Sequence, residues 1–157
     1  TFVSSDGERF TARRAVAFMS QYARSTVADS TEAMDVTVPS VDAATMAKVM
    51  EFCNHHVTKP VEPFEKPLKS GRVQDVLCAW DVAFIDLDQA MVCQLALAAS
   101  FLDIKSLLDV STVKVACMIK GKTAEQLRTF FHVPNIYTPE EEAKIIDENK
   151  WCEESSS

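Results

Sequence analysis

The chain of 157 residues is predicted to fold as an α+β protein that becomes all-helical in its second half. Three observations point there: short apolar runs between turn residues before residue 40, a proline-rich stretch at 58–72, and helical spacing of apolar residues almost everywhere beyond it. Phe2 and Val3 precede a Ser-Ser-Asp-Gly turn and Phe10 follows it, which predicts a hairpin of two short strands. Val16, Met19, Ala23 and Val27 recur at helical spacing and predict one helix over 13–27. Residues 35–39 (Asp-Val-Thr-Val-Pro) alternate as a strand does until the proline ends it. A second helix is expected to 56 from Asp42 as N-cap, with Met46, Val49, Met50 and Cys53 on one face. The three prolines and one glycine of 58–72 exclude a helix or central strand, so this stretch, continuing to 75, reads as a linker or mobile loop. Helices are then predicted over 76–86, 88–102, 104–120, 123–131 and 139–149. Thr123 with Gln126, and Thr138 with Pro139 and Glu141, match the capping box, and Gly121 supplies the preceding stop.

Composition narrows the function. At 47% hydrophobic residues the chain can bury a core unaided, since a chain of this length hides roughly 70% of its unfolded surface. With 23 acids against 16 bases the net charge is -7, which argues against nucleic acid, whose phosphates demand a basic face. Residues 138–157 hold 7 acids and 2 bases, a balance of -5, leaving -2 for the remainder. Protein partners fit better. The 5 cysteines are odd in number and unpaired in spacing, as expected of free thiols in a reducing compartment. The most apolar stretch, 90–102, is too short for a bilayer, which needs about 20 apolar residues. No signal-peptide pattern is read, and the expected location is the cytoplasm and nucleus.

The usual catalytic constellations are missing from the sequence. Gly121-Lys122-Thr123 resembles the end of a phosphate-binding loop but lacks the upstream glycine and strand. His55 and His56 are adjacent, so on a helix they diverge by about 100° and read as a solvated or capping pair, not a shared metal site. His132 stands alone, and Glu140, Glu141 and Glu142 favour the dipole of a helix start. No catalytic residue, cofactor or metal is expected. What stands out is apolar surface. The helix over 88–102 is apolar around nearly its whole circumference and is expected to be buried on most sides, and that over 104–120 carries more than one stripe. Either the polar C-terminal helices fold back over this surface, or a partner covers it. Trp151 and Cys152 follow an acidic helix so near the end of the sequence that Trp151 reads as an interface anchor.

The stretches at 97–110 (LAASFLDIKSLLDV), 115–128 (VACMIKGKTAEQLR) and 138–154, ending in ENKWCEE, resemble the S-phase kinase-associated protein 1 family, the adaptors of SCF ubiquitin ligases. Residues 4–8 (SSDGE), Val38-Pro39 and 52–56 (FCNHH) extend the likeness over nearly the whole sequence. The resemblance implies a BTB/POZ-like α+β body at 1–103 that holds a cullin, followed by a helical extension at 104–157 that clasps the F-box of a substrate receptor. It places Ser100 and Phe101 at the cullin contact, where the family has Asn-Tyr; losing two polar groups removes contacts of roughly 0.5 to 1.5 kcal/mol each. It places Leu108, Val115, Ala116, Phe131, Val133 and Asn135 on the F-box side, with Trp151 and Cys152 as the terminal anchor. Pro134 replaces a usual Lys and Ile136 a usual Asp, the 13–30 segment and the linker depart from the family pattern, and the acidic insertion is reduced to Asp29, Glu32 and Asp35. The implied function is a non-catalytic adaptor that promotes ubiquitination and degradation of substrates. Its alternative is a BTB-type scaffold that binds F-box proteins or self-dimerises without a cullin. Weak self-association of the free protein is expected from apolar surface left for partners.

Overall fold

The structure, a computed structural model, describes residues 1–27 and 34–150. The chain divides into two compact units, Thr1–Lys120 and Gly121–Ser157.

The first unit opens with strands β1 (Phe2–Val3) and β2 (Arg9–Phe10), and β3 (Val36–Thr37) completes a sheet of order β2-β1-β3. β1 pairs antiparallel with β2, Phe2 opposite Phe10, and parallel with β3, Phe2 opposite Val36. Gly7 allows the hairpin turn because its φ of +85° suits a residue without a Cβ. The single helix predicted over 13–27 is two: α1 (Arg14–Ala17) and α2 (Gln21–Thr26). Ser20 makes the break. Its backbone is extended, and its hydroxyl accepts the Ala23 N–H at 3.0 Å, so the helix restarts from a new N-cap.

The core lies among α3 (Ala43–His56), α5 (Gln89–Phe101) and α6 (Lys105–Ile119); α5 packs along α6 and against α3. Asp42 caps α3 by accepting the Thr45 N–H at 2.8 Å, and Asp88 caps α5 through the Met91 N–H at 2.9 Å. Phe52, Ile85, Leu95, Leu102 and Leu107 are fully enclosed. Between α3 and α5 the helix predicted over 76–86 shrinks to α4 (Ala79–Phe84), preceded by a short 3-10 turn at Val73–Asp75. Extended backbone at Cys78 separates the two.

The adjacent histidines, read as a solvated or capping pair, divide in the structure. His56 is buried: its Nδ1 lies 2.6 Å from the Lys59 carbonyl and its Nε2 2.9 Å from Oδ1 of the buried Asp81. His55 stacks on Trp80 with ring centroids 3.7 Å apart. The proline-rich stretch keeps the predicted absence of helix and strand but is tied to the body. Phe64 and Leu68 pack on the core, Lys66 pairs with Asp109 at 2.6 Å, and the Lys120 ammonium donates to the Lys69 carbonyl at 3.3 Å. A Cβ at Gly71 would come within 3.0 Å of the Lys120 side chain.

In the second unit, α7 (Ala124–Phe130) and α8 (Pro139–Glu148) both begin with the predicted capping boxes. Neither helix buries a residue. The Arg128 guanidinium reaches Glu142 at 2.5 Å and so ties α7 to α8. The described cysteines, Cys53, Cys78, Cys93 and Cys117, are free thiols, and burial pushes Cys53 up to about 12, where it is unreactive.

Candidate functional site

The first surface lies at the C-terminal end of α5. Val92, Leu95, Ala98 and Ala99, spaced three and four apart, face the core, which turns the other side of the helix to solvent. The helix is therefore not buried on most sides, as its composition had suggested. Ala90, Gln94 and Ser100 are exposed, Leu97 is 66% exposed and Phe101 38%. The chain leaves this helix through Asp103 in the left-handed conformation, φ +48°, with the Ile104 N–H donating to the Ala99 carbonyl at 2.9 Å. Leu102 is thereby buried while Ser100 and Phe101 stay outside. The Phe101 ring lies 5.0 Å from that of Tyr22.

The other candidates fall on α6 of the first unit and, separately, in the second unit. On α6, Leu107, Val110, Ser111 and Val113 are buried, whereas Leu108, Val115 and Ala116 are half-buried and Ile119 is exposed. Beyond α7 the chain turns through His132, whose φ is +55°, and the Val133 N–H donates to the Arg128 carbonyl at 2.9 Å. The isolated histidine is thus a helix-ending residue. Phe131 just before this turn and Val133, Ile136 and Tyr137 beyond it are all exposed, as are Ile145 and Ile146 on α8. A groove within the second unit is lined by Arg128, His132, Val133, Asn135, Glu142 and Ile146. Three of its polar members are joined: Asn135 donates to Glu142 at 3.2 Å while Arg128 holds the other carboxylate oxygen. These two bonds, that from Arg128 first, pull the Glu142 carboxyl below its ordinary value. Glu141 is lowered too, chiefly by the Thr138 backbone N–H it accepts in the capping box. Trp151 and Cys152 lie outside the described residues.

Sequence reasoning missed Tyr22 and the His56–Asp81 pair. Only the Trp80-Asp81 dipeptide at the far end of the proline-rich stretch marks the second, and nothing local connects it to His56.

Among the described residues every buried side-chain nitrogen or oxygen has a hydrogen-bond partner, and no group of three or more His, Cys, Asp or Glu could hold a metal. No helix among them is long and apolar enough to cross a membrane. The two candidate regions are apolar surfaces at helix ends, which makes this an α+β interaction module with a helical appendage. Residues 1–58 match the Skp1 family tetramerisation domain and residues 105–152 the Skp1 family dimerisation domain. SKP1-like protein 1A of Arabidopsis thaliana is 43% identical over 149 residues, 95% of this chain and 93% of the relative. The E3 ubiquitin ligase complex SCF subunit sconC of Aspergillus oryzae is 40% identical over 155 residues, 98% and 96% of the two chains. The S-phase kinase-associated protein 1 homolog of Tetrahymena thermophila is 39% identical over 143 residues, 90% and 86% of the two. The chain belongs to the Skp1 family.

Proposed function

We propose that this protein is the non-catalytic adaptor of an SCF-type E3 ubiquitin ligase, joining a cullin scaffold to F-box substrate receptors in the cytoplasm and nucleus. The cullin would dock on residues 1–103 through Ser100 and Phe101. The F-box would be held by residues 104–157 through Leu108, Val115, Ala116, Phe131, Val133, Asn135, Trp151 and Cys152. The observation that carries this reading is the second unit itself: two well-capped helices with no buried residue of their own and, among the described residues, six exposed large apolar side chains at or after Phe131. Such a surface suits an interface that resembles a divided core. Similarity to a named SCF subunit over 98% of the chain supports the same assignment.

Co-purification of the full chain with an F-box segment and the N-terminal region of a cullin tests it. A stable ternary complex is expected, and failure to bind any F-box segment would overturn it. A complex with the F-box segment alone would favour the second reading, a scaffold that works without a cullin. That reading draws on the chemistry of Ser100 and Phe101, which offer a cullin one small hydroxyl and no phenol oxygen.

A further inference from the structure

Two helix ends meet beneath the proposed cullin contact. Ser20 is buried, and its hydroxyl donates to the Leu102 carbonyl at 2.6 Å while accepting the Ala23 N–H. The next two backbone N–H groups, of Gln21 and Tyr22, donate to the carbonyls of Asp103 and Leu102, each at 3.3 Å. Donors left over at the start of α2 thus satisfy acceptors left over at the end of α5, and each helix caps the other. This junction fixes Tyr22 beside Phe101. The rings lie 5.0 Å apart at 50°, within the range of favourable aromatic pairs, and the Tyr22 hydroxyl is turned back to the Thr37 carbonyl at 3.4 Å.

We propose that Tyr22 is a specificity-determining residue of the cullin-binding surface, its ring joining Phe101 and Leu97 in one apolar patch; this rests on the function proposed above. Leu97 lies one turn before Phe101 on the same helix and is the more exposed of the two. None of Leu97, Ser100, Phe101 and Tyr22 carries a charge, in keeping with the depletion of charge at interface centres, and backbone bonds at Gln21 and Tyr22 fix the segment that bears the Tyr22 ring. The occupant is therefore a cullin segment that presents apolar side chains to this patch. Preorganisation by the helix-end junction lowers the ordering cost of binding.

The test titrates the N-terminal region of a cullin into the full chain bound to an F-box segment, comparing wild type with Tyr22→Ala, Tyr22→Phe, Phe101→Ala and the double alanine variant. Tyr22→Ala is expected to weaken cullin binding roughly tenfold, the size of an aromatic truncation in an interface centre. Tyr22→Phe, which keeps the ring, is expected to retain wild-type affinity, and the double variant to lose less than the two single losses combined. F-box affinity is expected to stay unchanged in all four. If Phe101→Ala weakens cullin binding and Tyr22→Ala does not, the proposal falls while the cullin reading stands. Equal losses for cullin and F-box, or a Tyr22→Phe loss as large as that of Tyr22→Ala, would also overturn it. A wild-type protein that binds no cullin overturns both.

Discussion

The two units of this chain are stabilised in opposite ways. Residues of the first enclose a core in which Phe52, Ile85, Leu95, Leu102 and Leu107 are fully buried, and its buried polar groups are paired. Helices of the second are defined by what lies next to them in sequence, two capping boxes and a left-handed turn; the Arg128–Glu142 ion pair joins them, and neither helix buries a residue. A cap, or an ion pair that solvent still reaches, contributes about 1 kcal/mol each, whereas one buried aliphatic side chain contributes several. The first unit is therefore held together mainly by its own core, and the helices of the second have their shape encoded locally.

Two substitutions in the first unit should have the largest effects. Leu107→Ala is expected to cost about 2 to 5 kcal/mol in a denaturant titration, while Ile146→Ala in α8 should cost less than about 0.5 kcal/mol. Similar losses would erase the contrast. Asp81→Ala should cost about 2 kcal/mol by leaving Nε2 of the buried His56 without its carboxylate partner, read as a lower unfolding midpoint at unchanged slope.

How much of this was legible in the sequence depends on distance along the chain. Asp42, Asp88, Thr123 and Thr138 were identifiable or lie at predicted helix starts because a cap and the amide it satisfies are three residues apart. The break at Ser20 was not: its cap bond to Ala23 is local, but the unbroken apolar spacing hides it, and its second bond is to the Leu102 carbonyl, 82 residues away. The same holds for His56, whose carboxylate partner lies 25 residues on, and for the proline-rich stretch, whose Lys66 finds Asp109 43 residues later. Of the candidate positions, Phe101, Phe131 and Val133 were named by family resemblance and are exposed, whereas the place of Tyr22 beside Phe101 depends on two helix ends that meet across 82 residues. Periodicity also overstated the burial of α5, because alanines count as apolar on a helix face that solvent can still reach, as at Ala90.

Smaller effects are expected in the second unit and sharpen the comparison. Thr138→Ala should destabilise α8 by about 1 kcal/mol, visible as faster amide exchange at its first turn and not as a shift of the main unfolding transition. Acid should act in the same place. The carboxyls of Glu141 and Glu142 are held below their ordinary value of 4.5, so they stabilise the folded form above that pH. Their contribution disappears as pH falls from 4.5 through the lowered values, and exchange in the first turn of α8 should rise over that window while the core of the first unit stays protected.

The bond between Ser20 and Leu102 also sets an order of events during synthesis. A ribosome adds about 5 to 20 residues per second, so the 82 residues separating the partners take roughly 4 to 16 s to appear. For that interval the start of α2 lacks the carbonyls that satisfy its donors, and Tyr22 has no Phe101 to lie against. The aromatic pair forms only after α5 has emerged, so under the proposed function the cullin surface is completed once most of the first unit has been made.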